Sequence, residues 1–422
     1  MRSWHRRLCA FLSAVALLGA MAKPAEAADG QFTIVAVPDT QFYLDHTLQR
    51  GPDYPIDGAA MFLDQMRYIA DRAQSEGDIA FVTSVGDVWQ HPSLSIDPAH
   101  AARGFARAPK TYFEDHLAPS DKVLTVEMPV ARRGYEMLMG KVPFSVVPGN
   151  HDLDAQWVDA RYPPSQANPF GRVHAGGTKN FNAVFGANTP FFKDKGWYVA
   201  SFNGGADSAQ VFTAAGYRFL HIGLQFDPSN DVLEWAESVL KRYPGVPTII
   251  STHNFLNTAA ERSLVNDSSV LDPIDNNPQM VWDKFISQHD QIFLVLSGHS
   301  RGAARRIDEN RFGHKVYQLM ADYQERAQVL KDAGAKALKF AGNGDGWLRL
   351  MGFDFTTATP TISVRTYSTH YKKFSADIPQ YSQWYKAHEH PEMSDAEFAA
   401  QDDFVLELSD FRPRFEKAGK VK

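Results

Sequence analysis

Short runs dominated by Val, Ile, Leu and Phe recur at wide intervals along the chain, at residues 32–37, 79–85, 144–147, 246–251 and 292–296. Unbroken apolar runs of this length read as strands buried on both faces. Between them, at 60–73, 232–240 and 280–287, apolar residues recur with the three-to-four spacing of an amphipathic helix. Strands alternating with helices predict an α/β domain built on a largely parallel sheet. Beyond residue 299 the pattern changes to short alternating runs around 315–320, 346–355 and 361–367. These predict a second, more antiparallel sheet packed with the first. Two long connections, 89–143 and 153–196, interrupt the alternation, and loops of that length usually carry function or wrap the surface. Trp89, His91 and His174 within them are candidates for lining a substrate pocket.

The N-terminus alters this picture. Arg2, Arg6 and Arg7 precede an apolar run from Leu8 to Met21, and Ala25-Glu26-Ala27 offers small residues for cleavage. That is the layout of an export signal over 1–27, followed by one domain over 28–375 and a C-terminal extension, 376–422, packed on it. The expected location is secreted or periplasmic. No later segment approaches the roughly 18 uninterrupted apolar residues of a membrane span. Cys9, inside the signal, is the sole cysteine. Disulfide scaffolds, zinc–thiolate sites and cysteine nucleophiles are therefore excluded, and the domain must be held by its core. Without Arg2, Arg6, Arg7, Lys23 and Glu26, the 43 basic and 49 acidic residues become 39 and 48. That acidic balance predicts no nucleic-acid surface.

The candidate chemistry lies in what ends each strand. The five runs lead into Pro38-Asp39-Thr40-Gln41, Gly86-Asp87, Gly149-Asn150-His151-Asp152, Thr252-His253 and Gly298-His299. In an open α/β sheet the ligand site lies outside the carboxyl ends of the strands, so parallel strands would bring these groups to one rim. Carboxylate, amide oxygen and imidazole without thiolate suit a divalent ion such as manganese, zinc or iron. A glycine before Asp87, Asn150 and His299 lets the backbone turn sharply there.

This ordered set resembles the signature of the calcineurin-like metallophosphoesterase superfamily: Asp-x-His, Gly-Asp, Gly-Asn-His-Asp/Glu, His, Gly-His-x-His. The resemblance runs from Phe32 to about Tyr367. It implies a four-layer sandwich, two packed mixed β-sheets flanked by helices, with two metals sharing Asp87. Asn150, His253 and His299 would complete one metal site, and His151 would steady the transition state or protonate the leaving group. Asp152 is a candidate to orient His151.

The other metal site departs from the pattern. Asp39 is in place, but the histidine of Asp-x-His is Gln41 and the last histidine of Gly-His-x-His is Arg301. Glutamine offers a neutral carbonyl oxygen, whereas arginine has no lone pair to give. The expectation is one complete metal site beside an altered one, for which His46 and His91 are candidate replacement ligands, with Arg301 clamping a phosphoryl oxygen in place of lost metal charge. Gly86-Asp87-Val88-Trp89-Gln90-His91-Pro92 lacks the Asp-Arg-Gly extension of phosphoprotein phosphatases and the metal-binding tyrosine of purple acid phosphatases. The expected activity is hydrolysis of a small-molecule phosphate mono- or diester by metal-bound hydroxide. The competing expectation is a lapsed phosphoesterase that binds a phosphoryl ligand.

Overall fold

The computed structural model describes residues 30–48, 54–109, 117–264, 275–335 and 342–421. The predicted export segment, with Cys9, lies outside the described residues. The strands, numbered in chain order, are β1 (Gln31–Val37), β2 (Ile79–Ser84), β3 (Phe144–Ser145), β4 (Ala155–Val158), β5 (Val173–Gly176), β6 (Tyr198–Phe202), β7 (Asp207–Ala214) and β8 (Tyr217–Gly223). They continue with β9 (Thr248–Ser251), β10 (Ile292–Ser297), β11 (Gly302–Glu309), β12 (Lys315–Asp322), β13 (Trp347–Asp354), β14 (Thr361–Ser368), β15 (Lys373–Phe374) and β16 (Asp403–Glu407).

One seven-stranded sheet runs β15-β14-β13-β1-β2-β3, with β16 also pairing β14. The other runs β11-β12-β10-β9-β8-β7-β6, and β4 with β5 makes a separate ribbon. The architecture is the expected mixed α/β arrangement of two large mixed sheets with helices. Its partition differs from the sequence reading. β1, β2 and β3 are mutually parallel in the first sheet, while β9 and β10 belong to the parallel part of the second, with β8 and β12. The late runs divide too: β12 lies parallel to β10, whereas β13 runs antiparallel to β1 along six paired positions. Periodicity reports which faces of a strand are buried but not which edge it joins.

Side-chain alternation along β1 shows why the layers stack. Phe32, Ile34 and Ala36 enter the core between the sheets with Phe81, Phe219, Phe293 and Phe353, and Phe32 stacks on Phe353 with ring centroids 4.6 Å apart. Val35 and Val37 face the opposite way, into a core shared with Met61, Phe62, Met66 and Tyr135. Met61, Phe62, Met66 and Ile69 line one face of the helix Gly58–Ser75, whose N-terminus is capped by Asp57 accepting from the Ala60 amide. On the far side, Val232, Leu233, Ala236, Val239 and Leu240 of the helix Asn230–Arg242 cover the second sheet. The long connection after β2 is structured by a π-helical turn, Val123–Glu127, running into the helix Met128–Glu136.

Residues after 375 are part of this packing. β16 extends the first sheet, and the helix Asp395–Asp402 ends on a buried carboxylate. Asp402 accepts from Arg349 at 2.7 Å, Arg326 at 3.0 Å and the Tyr381 hydroxyl at 2.6 Å. Burial opposes its charge, but the two guanidinium groups outweigh that and hold its pKa at about 2. No helix among the described residues is long and apolar enough to cross a membrane.

Candidate metal centre

Asp39 follows β1, Asp87 follows β2, Asn150 follows β3, His253 follows β9 and His299 follows β10. The five therefore come from the parallel ends of both sheets, and the site lies across the seam between them. The backbone makes this possible in two ways. Gly86 (φ 106°) and Asp87 (φ 49°) are consecutive left-handed residues, so the chain turns sharply as it leaves β2. Gly298 serves close approach instead: a Cβ there would sit 2.1 Å from Asp39 Oδ1. The next residue, His299, takes the left-handed conformation itself, at φ 70°.

His253 is the hub. It is fully buried, and its Nδ1 donates to the Val85 carbonyl at 2.8 Å. A carbonyl only accepts, so in the neutral ring Nε2 carries the lone pair. Around that Nε2 lie Asp87 Oδ2, Asn150 Oδ1 and His299 Nδ1, each at 3.1 Å. Ligand atoms of Asp87, His253 and His299 all lie within 4.8 Å of one another. Burial pushes the His253 pKa down, which favours the lone-pair form. The Asp87 pKa is lowered as well, for a different reason: burial opposes its charge, but His253, His151 and His299 outweigh that and hold its carboxyl well below the usual range. A convergent set of acceptors, with the hub imidazole oriented by a backbone carbonyl, is compatible with a bound divalent metal.

The other half of the rim is oxygen-rich. Gln41 is buried, and its amide nitrogen donates to Asp87 Oδ2 at 3.1 Å while its Oε1 has no partner among the described residues. Asp39 Oδ2 accepts from the His299 amide at 3.1 Å, and Oδ1 has no partner among the described residues. Burial, then repulsion from Asp322 and Asp87, pushes the Asp39 carboxyl well up. Asp322, the last residue of β12, was not singled out from the sequence. It is buried, one carboxylate oxygen has no partner among the described residues, and burial followed by repulsion from Asp87 moves its pKa up to about 7. The signal that exposed the others, a polar residue ending a buried strand, was present in Met320-Ala321-Asp322, but no glycine or histidine companion marked it.

His151 borders the centre. Its amide donates to Asp87 Oδ1 at 2.9 Å, its Nδ1 donates to the Gln90 carbonyl at 2.8 Å, and its Nε2 lies 3.9 Å from Asp87 Oδ2. The carboxylate of Asp152 does not orient it. That carboxylate is spent on the amides of Val88, Trp89 and Gly149, clamping the two loops together.

Five further candidate residues receive other neighbours. His46 and His91 each place Nδ1 2.7 Å from Glu127 Oε1, in a buried group with Asp45 that is separate from Asp39 and Gln41. Trp89 packs in the core beside Phe181 and Phe185. His174 is buried against Asp159 at 3.0 Å. Arg301 holds Glu325 at 2.7 Å with its side chain 64% exposed.

No family model matches the chain. It is 23% identical over 397 residues to the Bacillus subtilis (strain 168) protein YvnB, itself described as uncharacterized; the match covers 92% of this chain and 22% of that protein. The chain thus spans under a quarter of that relative's length. Among solved structures, a dimetal phosphatase from Danio rerio aligns with 81% of this chain and 97% of its own, at 12% identity and TM-score 0.41. GAP50, the anchor in the inner membrane complex of Plasmodium, aligns with 82% of this chain and 86% of its own, at 12% identity and TM-score 0.36.

Proposed function

We propose that this protein is a divalent-metal-dependent phosphoesterase acting on a small phosphate mono- or diester. The observation that carries the reading is the surrounding of His253 Nε2. A lone pair fixed by the Val85 carbonyl faces a carboxylate, an amide oxygen and a second imidazole, all at 3.1 Å. Asp87, Asn150, His253 and His299 would hold one ion, and Asp39 and Gln41 would face a second beside Asp87. A divalent cation supplies Lewis acidity at the phosphoryl group and a hydroxide nucleophile near neutral pH.

The chain's own groups would do the rest. His151, with Nδ1–H committed to the Gln90 carbonyl, has Nε2 available on the side of Asp87; as the imidazolium it would give the Nε2 proton to the departing oxygen and return to the neutral ring. Phe226, with its ring 5.8 Å from that of His253 and 5.6 Å from that of His299, forms an apolar wall that limits water on that side. Arg301 stands beyond His299 as the candidate cation for a phosphoryl oxygen. Export would place this chemistry outside the cytoplasm.

The test is hydrolysis of chromogenic phosphate mono- and diesters by purified protein reconstituted with manganese, zinc or iron. Metal-dependent turnover is expected, with loss of both metal and activity in Asp87→Ala and His253→Ala. Full turnover in either variant overturns the assignment. A protein that retains metal but cleaves neither ester class is a binding protein instead.

A further inference from the structure

Asp39 Oδ1, Gln41 Oε1 and Asp322 Oδ2 are buried, and none has a hydrogen-bond partner among the described residues. All three are acceptors, and leaving such groups unsatisfied away from water costs on the order of 1–3 kcal/mol each. The strand register brings the third of them to the site. β12 pairs in parallel with β10 up to Ser297 opposite Met320, and in antiparallel with β11, where Gly302 stands opposite Asp322, so Asp322 ends its strand beside the turn that carries His299. The His299 amide in turn donates to Asp39 at 3.1 Å, and Gln41 bonds Asp87 at 3.1 Å. Asp322 is thereby a third buried carboxylate at this rim, close enough to Asp39 and Asp87 for the three charges to repel one another.

Other occupants satisfy these three oxygens poorly. One water has two protons for three acceptors, and one shared carboxyl proton satisfies a single contact. Neither offsets the repulsion among Asp39, Asp87 and Asp322, which are all buried. A cation addresses every oxygen at once. The nearby guanidinium of Arg301 is directed to Glu325 instead.

We infer that Asp322 is a metal ligand that completes the altered site, giving it an all-oxygen set of Asp39, Gln41, Asp87 and Asp322. The inference rests on the phosphoesterase reading for Asp87 as a shared ligand. It makes the two halves of the centre chemically unlike. Imidazole nitrogens at His253 and His299 suit zinc, iron or manganese, whereas four oxygens from carboxylates and an amide suit magnesium or manganese. The histidine lost at Gln41 and the one lost at Arg301 are then replaced by a neutral carbonyl oxygen and by a carboxylate from the adjacent strand.

The experiment is calorimetric titration of metal-free full-length protein with Mn²⁺, and separately with Mg²⁺, for the wild type, Asp322→Ala and Asp322→Asn. Circular dichroism checks that each is folded, and the isosteric asparagine serves if the alanine variant does not fold. The wild type should take two Mn²⁺ per chain, with Mg²⁺ competing at one. Asp322→Ala should bind one, and Asp322→Asn should weaken the Mg²⁺-competed site by at least about tenfold while the other is unchanged. Two sites of unaltered affinity in a folded Asp322→Asn variant overturn the inference. A wild type that binds a single ion, lost in His253→Ala but not in Asp322→Asn, overturns it and leaves the proposed function standing. Absence of any Mn²⁺ binding overturns both.

Discussion

His151 Nδ1 lies 2.8 Å from the carbonyl oxygen of Gln90, and Gln90 is itself held by Glu127, whose Oε2 accepts the Gln90 amide at 3.1 Å. The first contact fixes the imidazole so that Nε2 is the atom available for proton transfer. Removing the ring should therefore spare the metal centre. His151→Ala is expected to keep its bound metal while turnover falls by about 10²- to 10⁴-fold. If His151 is the general acid, esters with good leaving groups will lose less than esters with poor ones; equal losses across a leaving-group series would assign it to charge stabilisation.

Glu127 is a positioning residue at one remove. Its carboxylate takes up His46 Nδ1, His91 Nδ1 and the amides of Gln90 and His91, and these contacts, outweighing burial, hold its pKa at about 2. Glu127→Gln replaces one of the two acceptor oxygens with an amino group that cannot accept. We expect a stability loss of about 1–3 kcal/mol and a kcat lowered by up to about 10²-fold through misplacement of the Gln90 carbonyl. KM and metal content should change little. A purely structural glutamate would leave the pH profile of kcat in place, whereas a Glu127 that orients His151 should shift the limb that reports the imidazole.

Arg301 is tested by comparing Arg301→Ala with the wild type. Its ion pair with Glu325 is largely exposed, so the melting temperature should barely move. If the guanidinium also grips a phosphoryl oxygen, KM should rise by about tenfold, the equivalent of one charge-assisted hydrogen bond. Unchanged KM and kcat remove it from the site.

His221 predicts an acid sensitivity unrelated to the metal. It lies on β8, fully buried, with Nδ1 2.8 Å from Gln210 Oε1, Nε2 2.8 Å from Ser251 Oγ and its ring 4.8 Å from that of Phe81 in the first sheet. Burial lowers its pKa from 6.5 to about 3, so the folded state holds it neutral while the unfolded chain takes a proton below 6.5. The stabilisation is complete above pH 6.5 and is lost as pH falls from there towards 3, by up to about 1.4 kcal/mol per pH unit. Urea denaturation of His221→Gln should show a shallower decline than the wild type between pH 6.5 and 4. Parallel curves would show that His221 does not carry the effect.

Strand ends were legible in the sequence because chemistry and pattern coincide there. A buried run stopping at Gly86-Asp87 or Gly149-Asn150-His151 marks both the end of a strand and a polar group with a reason to be at the rim. Helix positions were legible for the same local reason, although the predicted segment 280–287 resolves into the helix Pro278–Lys284 and a 3₁₀ turn after Phe285. Asp322 stayed hidden. It becomes notable only when β12 lies beside β10 and one of its carboxylate oxygens is seen without a partner among the described residues.

The sequence by itself determined the α/β character, the absence of disulfides in the chain beyond Cys9, and the residue types offered to a metal. These follow from the residues themselves and from runs a few residues long. Only the tertiary structure decided that the candidate ligands come from two sheets, that Gln90 and not Asp152 holds His151, that His46 and His91 go to Glu127, and that Asp322 ends its strand beside the turn carrying His299. Each of those outcomes depends on pairing between segments tens to hundreds of residues apart. Local periodicity carries no record of the partner.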